Sequence, residues 1–125
     1  MILDSYAVFL SCQRIPFYTK DGFSVSIGGV MIDVSVSNVV TLSAYIGLVN
    51  AGIRSAKRLV KELQKLYPGY KIWVEWYSGY YEIEVEEYFS CTSTADLHKH
   101  VVAMAEMLRA GYEIGKELLG EDFCR

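Results

Sequence analysis

The sequence predicts an α+β fold, a two-layer sandwich in which one antiparallel sheet, in the order β-ββ-α-ββ-α, carries two long helices on one face. Two stretches alternate apolar and polar residues about a short turn that contains glycine. Each of them precedes a segment whose apolar residues recur at helical spacing. The chain has 125 residues, of which 52% are hydrophobic, and only two prolines. These values are typical of one compact core, so we predict a single α+β domain over residues 1–125.

The first elements are predicted to be strands. We expect a strand over 6–13 (YAVFLSCQ), and the loop 14–22 joins it to a hairpin over 23–37. A Gly28-Gly29 turn predicts a register with three apolar pairs: Ile27 with Val30, Val25 with Ile32, and Phe23 with Val34. This register places every apolar residue of the hairpin except Met31 on one face, which must be covered.

Helical spacing then runs through residues 42–67. The apolar residues recur at alternating intervals of three and four: Ile46, Val49, Ile53, Ala56, Val60, Leu63 and Tyr67. The proline and glycine of YPGY end the run. We therefore predict one long helix over 42–67.

A second hairpin is predicted over 71–89 (KIWVEWYSGYYEIEVEEYF). A Ser78-Gly79 turn sets the register: Tyr77 with Tyr80, Trp76 with Tyr81, Glu75 with Glu82, Val74 with Ile83, and Ile72 with Val85. The expected core face carries Tyr70, Ile72, Val74, Trp76, Tyr81, Ile83, Val85 and Phe89. The other face carries Lys71, Trp73, Glu75, Tyr77, Tyr80, Glu82, Glu84, Glu86 and Tyr88.

The last helix is predicted over 94–119, with Ser93 or Thr94 as its N-cap and Gly120 after its end. It has a second apolar stripe in addition to the one that faces the sheet: Ala103, Met107, Ala110 and Ile114. A helix with two apolar stripes has two neighbours, and a second copy of the chain is one candidate, so we expect a homodimer or a dimer of dimers. The glycines at 111 and 115 fit either close packing within one chain or packing between copies.

Charge divides the chain into opposed regions, although the net charge is only −3. Residues 43–67 hold five basic residues and one acidic residue, Glu62. Arg54, Arg58, Lys61 and Lys65 follow i, i+4, i+7, i+11 spacing and form one ridge, with Lys57 beside it. We call these five residues the basic ridge. It is either a solvated helix face or a site for an anionic partner, namely the phosphates of single-stranded DNA or RNA or an acidic protein surface.

The glutamate-rich face of the second hairpin also admits several interpretations. Glu75 lies opposite Glu82 in the predicted register, an unfavourable pairing in the absence of cations or basic side chains. The face could serve solubility and edge protection, or it could meet the basic ridge of another subunit. A carboxylate pair for catalysis or metal binding is the least favoured interpretation, because no histidine or aspartate joins the cluster.

Several classes of function are disfavoured by the sequence. No nucleophile, base and orienting residue occur in a supporting pattern, so we expect a protein that is not an enzyme and uses no cofactor. The three cysteines lack the C-x-x-C spacing of a zinc site, and we expect no bound metal. The start of the chain has no basic segment of a secretory signal, and no apolar stretch reaches the ~18 residues of a membrane span, so we expect a cytoplasmic location and no membrane partner.

The basic helix runs directly into the aromatic hairpin, in RSAKRLVKELQKLYPGYKIWVEWYSGYYEIEVEEYF. This layout, over about residues 40 to 120, resembles the ThermoDBP group of archaeal single-stranded-DNA-binding proteins. The resemblance implies nucleic-acid binding without an OB-fold, and association through helices.

We therefore predict a non-enzymatic module that binds single-stranded nucleic acid through the basic ridge and exposed aromatic rings. The predicted site residues are Arg54, Lys57, Arg58, Lys61, Lys65, Trp73 and Tyr77. The alternative is a chaperone-like module for protein interaction or self-assembly, which would use the same ridge against an acidic protein surface.

Overall fold

The structure, a computed structural model, describes residues 2–121 and 123–124. Its helices are α1 (Ile2–Cys12), α2 (Ile53–Leu66) and α3 (Thr94–Leu119). Its strands are β1 (Phe17–Tyr18), β2 (Phe23–Ile27), β3 (Val30–Val36), β4 (Val40–Leu48), β5 (Lys71–Tyr77) and β6 (Tyr80–Phe89). The strands form one six-stranded sheet in the order β1-β2-β3-β4-β6-β5. The predicted α+β class with an antiparallel sheet is confirmed.

Both hairpin registers are confirmed. In β2 and β3, Ile27 pairs with Val30 and Phe23 pairs with Val34, while in β5 and β6 the Tyr77 pair with Tyr80 closes the turn. The short turns impose these registers, because Gly28, Gly29, Ser78 and Gly79 all adopt positive φ angles, as two-residue hairpin turns require.

The predicted strand over 6–13 is wrong, because this segment belongs to α1. YAVFLSC is apolar almost throughout, and in so short a run periodicity does not separate a strand from a buried helix. Tyr6 and Leu10, four residues apart, are fully buried, whereas Val8 between them is largely exposed. This is the one-sided burial of a helix.

The predicted helix over 42–67 is also wrong in its first half. Residues 40–48 form β4, in which alternate residues are buried: Val40, Leu42, Ala44, Ile46 and Leu48. The true helix, α2, starts at Ile53 after Gly52, whose extended backbone precedes the first turn. The period-two signal of β4 was present in the sequence. It was missed because Ile46, Val49 and Ile53 also happen to continue the helical spacing of α2.

The contacts between Cα atoms divide the chain into two compact units, residues 1–43 with 88–106 and residues 44–87 with 107–125. In the first unit an aromatic cluster joins α1, β2 and the first half of α3. The Tyr6 hydroxyl lies 2.8 Å from Nδ1 of His98, and the Tyr6 ring stacks on Phe23 with 5.9 Å between centroids. Burial raises the pKa of Tyr6 and lowers that of His98, so both groups are neutral and Nδ1 of the imidazole accepts a hydrogen bond from the hydroxyl.

In the second unit α2 and the second half of α3 pack on the buried face of β4. A methyl group added to Gly111 would lie 3.2 Å from Cδ1 of Ile46 and 3.6 Å from the Leu63 side chain, and one added to Gly115 would overlap the Phe123 ring. Both glycines therefore serve close packing within one chain. Met107, from the second stripe of α3, is also buried here, so this stripe is not a continuous exposed surface.

Candidate functional site

The basic ridge lies on the solvent side of α2. All five of its side chains are exposed, and the buried residues of this helix lie on its other side: Ala56, Leu59, Val60 and Leu63. Lys65 forms an ion pair with Glu62, at 3.5 Å between Nζ and Oε1. The other four ridge residues form no ion pair with any residue that the structure describes. The predicted ridge is thus a band of cations with little internal neutralisation.

Helix α2 runs beside β5, which is the edge strand of the sheet. The Gln64 side-chain amide donates a hydrogen bond to the Ile72 carbonyl oxygen, with 2.9 Å between Nε2 and O. Helix α2 packs against β5, and only the short loop 67–70 joins them, so the two elements run antiparallel. The flank of α2 that carries Gln64 and Lys57 therefore lies at the outer edge of the sheet, and the rest of the ridge continues from it around the solvent side of the helix.

Trp73 and Tyr77, the predicted stacking residues, lie on the opposite face of the sheet. Side chains alternate along β5, and Ile72 is buried on the helical face, so Trp73, Glu75 and Tyr77 point away from α2. The ridge and these two rings consequently do not line one groove. We call the side of β5 and β6 that faces away from α2 the open face.

The rings of the open face are engaged with their neighbours. The Trp73 indole N–H donates to Oε1 of Glu75 at 2.9 Å, and the Lys71 ammonium group lies 5.1 Å from the centroid of the Trp73 ring. The Tyr77 and Tyr80 rings stack across the turn with 6.3 Å between centroids. A base approaching Trp73 would therefore have to displace Lys71 and come close to Glu75.

Two glutamates of the open face share a polar cluster. Glu82 is only 7% exposed and accepts a hydrogen bond from the Tyr80 hydroxyl at 2.8 Å. Burial raises the pKa of Glu84 to about 7, and its hydrogen bond with Glu82 contributes in the same direction. The hydrogen bond with Glu84 raises the pKa of Tyr77. As Glu84 ionises near neutral pH, this face gains negative charge, which repels phosphate.

Trp76 departs from the prediction. It was expected in the core, yet the residue is 58% exposed. It lies on the same face of β5 as the buried Ile72 and contacts Tyr81 edge-on, with 4.7 Å between ring centroids. The alternation rule gave its face correctly but not its exposure. Trp76 lies one residue before the end of β5, which is the edge strand of the sheet.

A cavity of about 240 Å³ at the hairpin end is lined by Leu48, Val49, Ser78, Gly79 and Tyr80. Within residues 2–121 and 123–124, no group of three or more histidine, cysteine, aspartate or glutamate side chains is arranged to hold a metal ion. None of the helices in that part of the chain combines the length and the apolar character that crossing a membrane requires.

Comparison with known proteins gives a structural likeness. No protein-family model matches the chain, and no curated protein matches it significantly. The fold is similar to that of YbjN, a candidate transcription regulator from E. coli, with a TM-score of 0.73 and 11% sequence identity. The match covers 98% of this chain and 95% of the YbjN chain. At this identity the likeness shows the fold alone.

Proposed function

We propose that this protein is a non-enzymatic binding module that holds single-stranded DNA or RNA along α2. The observation that carries the proposal is the exposed basic ridge: five cations on one helix face with Glu62 as the one acidic residue of α2. Cations spaced in this way repel one another, and an anionic polymer relieves that repulsion. The ridge spans about 17 Å from Arg54 to Lys65 at 1.5 Å per residue, which suits a short stretch of phosphate backbone.

The ridge favours recognition of the backbone over recognition of sequence. Lysine and arginine contacts to phosphate carry no sequence information, so binding should be tolerant of sequence. If about four phosphates are neutralised, log affinity should fall against log salt with a slope of about −3 for a single strand. Each charge reversal on the ridge should reduce the steepness of that slope by roughly 0.7.

Fluorescence anisotropy with a labelled strand of ~20 nucleotides, at two salt concentrations, tests the proposal. Arg58→Glu and Lys61→Glu should weaken binding and flatten its salt dependence. Lys99→Glu is the matched control, because Lys99 is an exposed lysine on α3, outside the ridge. Absence of binding at low salt would refute the proposal, as would equal losses in the ridge variants and the control.

Protein interaction or self-assembly is the second candidate, and the free edge of β5 favours it. The Tyr77–Tyr80 pair closes a two-residue turn, so the backbone groups of Tyr77 and of every second residue before it form hydrogen bonds with β6. The backbone groups of the residues between them, Ile72, Val74 and Trp76, point outward from the sheet. The Ile72 carbonyl oxygen already accepts a hydrogen bond from the Gln64 side chain. Within the described chain, the outward groups of Val74 and Trp76 have no backbone partner, and such an edge can accept a strand of another protein or of a second copy.

Sedimentation across protein and salt concentrations distinguishes the two candidates. Dimers at tens of micromolar that dissociate as salt rises, together with no affinity for nucleic acid, would favour assembly through charged surfaces. The part of the proposal that excludes catalysis can also be tested. A metal-dependent hydrolytic activity that is lost in Glu82→Gln or Glu84→Gln would overturn it.

A further inference from the structure

We infer that Trp76 is the ring on which a base of the bound strand stacks, at the N-terminal half of the ridge. This inference rests on the proposed function and adds to it a residue that was expected in the core. Ridge cations would hold the phosphates, and the exposed indole beside them would hold a base.

Trp76 is on the correct side of the sheet for this role. Ile72 and Trp76 are four residues apart in β5 and therefore share a face, and the Ile72 side chain is buried beneath the helical layer. Trp73 and Tyr77 are on the opposite face. Of the two tryptophans, Trp76 is thus the one on the α2 side of the strand.

The level of Trp76 along the strand matches the first half of the ridge. Gln64 and Ile72 are joined by a hydrogen bond and serve as a common reference point. Lys57 precedes Gln64 by seven residues, which is two helical turns and about 10.5 Å, and so lies on the same side of α2. Trp76 follows Ile72 by four residues, about 13 Å along a strand that runs antiparallel to the helix. Lys57 and Trp76 therefore come to a similar level at the β5 edge of the sheet.

The surroundings of Trp76 suit base stacking better than those of the open face do. Its contact with Tyr81 is edge-on, at an interplanar angle of 61°, and more than half of its surface is open. On the open face, Lys71 lies over the Trp73 ring, and the Tyr77 hydroxyl forms a hydrogen bond with Glu84. A strand on that face would meet carboxylates, whereas a strand beside Trp76 meets the ridge.

The two tryptophans of the chain allow a direct test by intrinsic fluorescence, because each can be removed in turn. In Trp73→Phe, Trp76 is the one remaining indole, and in Trp76→Phe the remaining indole is Trp73. Titration with a thymidine strand of ~20 nucleotides at low salt should quench the fluorescence of Trp73→Phe and leave that of Trp76→Phe nearly unchanged. Both substitutions keep an aromatic ring, and a matching thermal unfolding profile confirms that each variant is folded.

Affinity gives an independent measurement. Trp76→Ala should weaken binding roughly 5- to 100-fold with the salt slope unchanged, since stacking involves no ion release. Trp76→Phe should restore most of the affinity, and Trp73→Ala should change it by less than about twofold. Two outcomes would overturn the inference while the proposed function stands. Anisotropy would show binding in both, and either the fluorescence of Trp73 would be quenched or neither indole would respond. No binding to any variant or to the wild type would refute both.

Discussion

Glu84→Gln should remove a pH dependence of stability that originates on the open face. The pKa of Glu84 is raised from 4.5 to about 7, first by burial and then by the hydrogen bond with Glu82. Between these values the folded protein binds the proton more tightly than the unfolded chain does. The free energy of unfolding therefore falls as pH rises from about 4.5 to about 7.

The expected change in the free energy of unfolding follows from the size of the pKa shift and from the exposure of Glu84. One pKa unit corresponds to about 1.4 kcal/mol, so a displacement from 4.5 to about 7 has an upper limit of about 3.4 kcal/mol. Glu84 is only partly buried, and screening by solvent reduces this to roughly 1–2 kcal/mol. Glutamine resembles the protonated carboxyl group in size, so the variant and the wild type should be similarly stable at about pH 5. At about pH 8 the variant should be more stable by roughly 1–2 kcal/mol.

Urea denaturation of both proteins at several pH values measures this difference. The difference between the two proteins is the quantity of interest, because other groups also titrate in this range, among them His98, whose pKa is lowered by burial. Glu117→Gln removes one negative charge from an exposed site on α3 and is the matched control. If the difference in stability between Glu84→Gln and the wild type is the same at low and high pH, the pKa of Glu84 is not raised in the folded protein.

Three further substitutions test the packing within each of the two units. Gly115→Ala should destabilise the protein by about 1–3 kcal/mol, because its methyl group would overlap the buried Phe123 ring. Gly111→Ala should have the smaller effect, since the nearest atom is the end of the flexible Ile46 side chain at 3.2 Å, and chemical denaturation measures both. Tyr6→Phe should lower the free energy of unfolding by about 1 kcal/mol, because it leaves Nδ1 of His98 without its 2.8 Å partner. An unchanged midpoint for Tyr6→Phe would mean that water replaces the hydroxyl.

Local signals in the sequence account for the elements that were predicted correctly. The Gly28-Gly29 and Ser78-Gly79 turns leave few alternatives for pairing, since a shift of one residue would move every apolar side chain to the other face. Helix α3 has a long apolar stripe. Ser93 caps this helix, because its hydroxyl oxygen accepts a hydrogen bond from the Asp96 backbone N–H at 3.1 Å. In these segments local propensity and tertiary packing favour the same structure.

The errors fall where two local patterns compete. Residues 40–48 satisfy the period of a strand and also share apolar positions with the helix that follows, and tertiary pairing with β3 decides in favour of a strand. In α1, uniform apolarity left the period undetermined until packing buried Tyr6 and Leu10 on one side. Burial against partners distant in sequence is not encoded in short-range spacing, so these assignments required the structure.

The candidate site shows the same division. The basic ridge follows from spacing within one helix, and the structure places its five residues in the expected exposed band. The face on which each ring lies follows from alternation, but exposure does not. Glu82 is buried although it lies on the open face, and Trp76 is exposed although it shares a face with the buried Ile72. Exposure depends on how other elements pack on each face, and no pattern within the hairpin encodes that packing.

The two faces of the β5–β6 hairpin also predict opposite responses of nucleic-acid binding to pH. Lysine and arginine side chains remain charged well above neutral pH, so affinity along the ridge should change by less than about twofold between about pH 6 and about pH 8 at fixed salt. A strand on the open face would instead lie over Glu84 as its carboxyl group ionises through a pKa of about 7. Its affinity should then fall several-fold over that range as negative charge appears beneath the phosphates. Anisotropy titrations at constant ionic strength, with Glu84→Gln in parallel, separate the two cases. A loss of affinity with rising pH in the wild type that is absent in Glu84→Gln would place the strand on the open face and contradict stacking on Trp76.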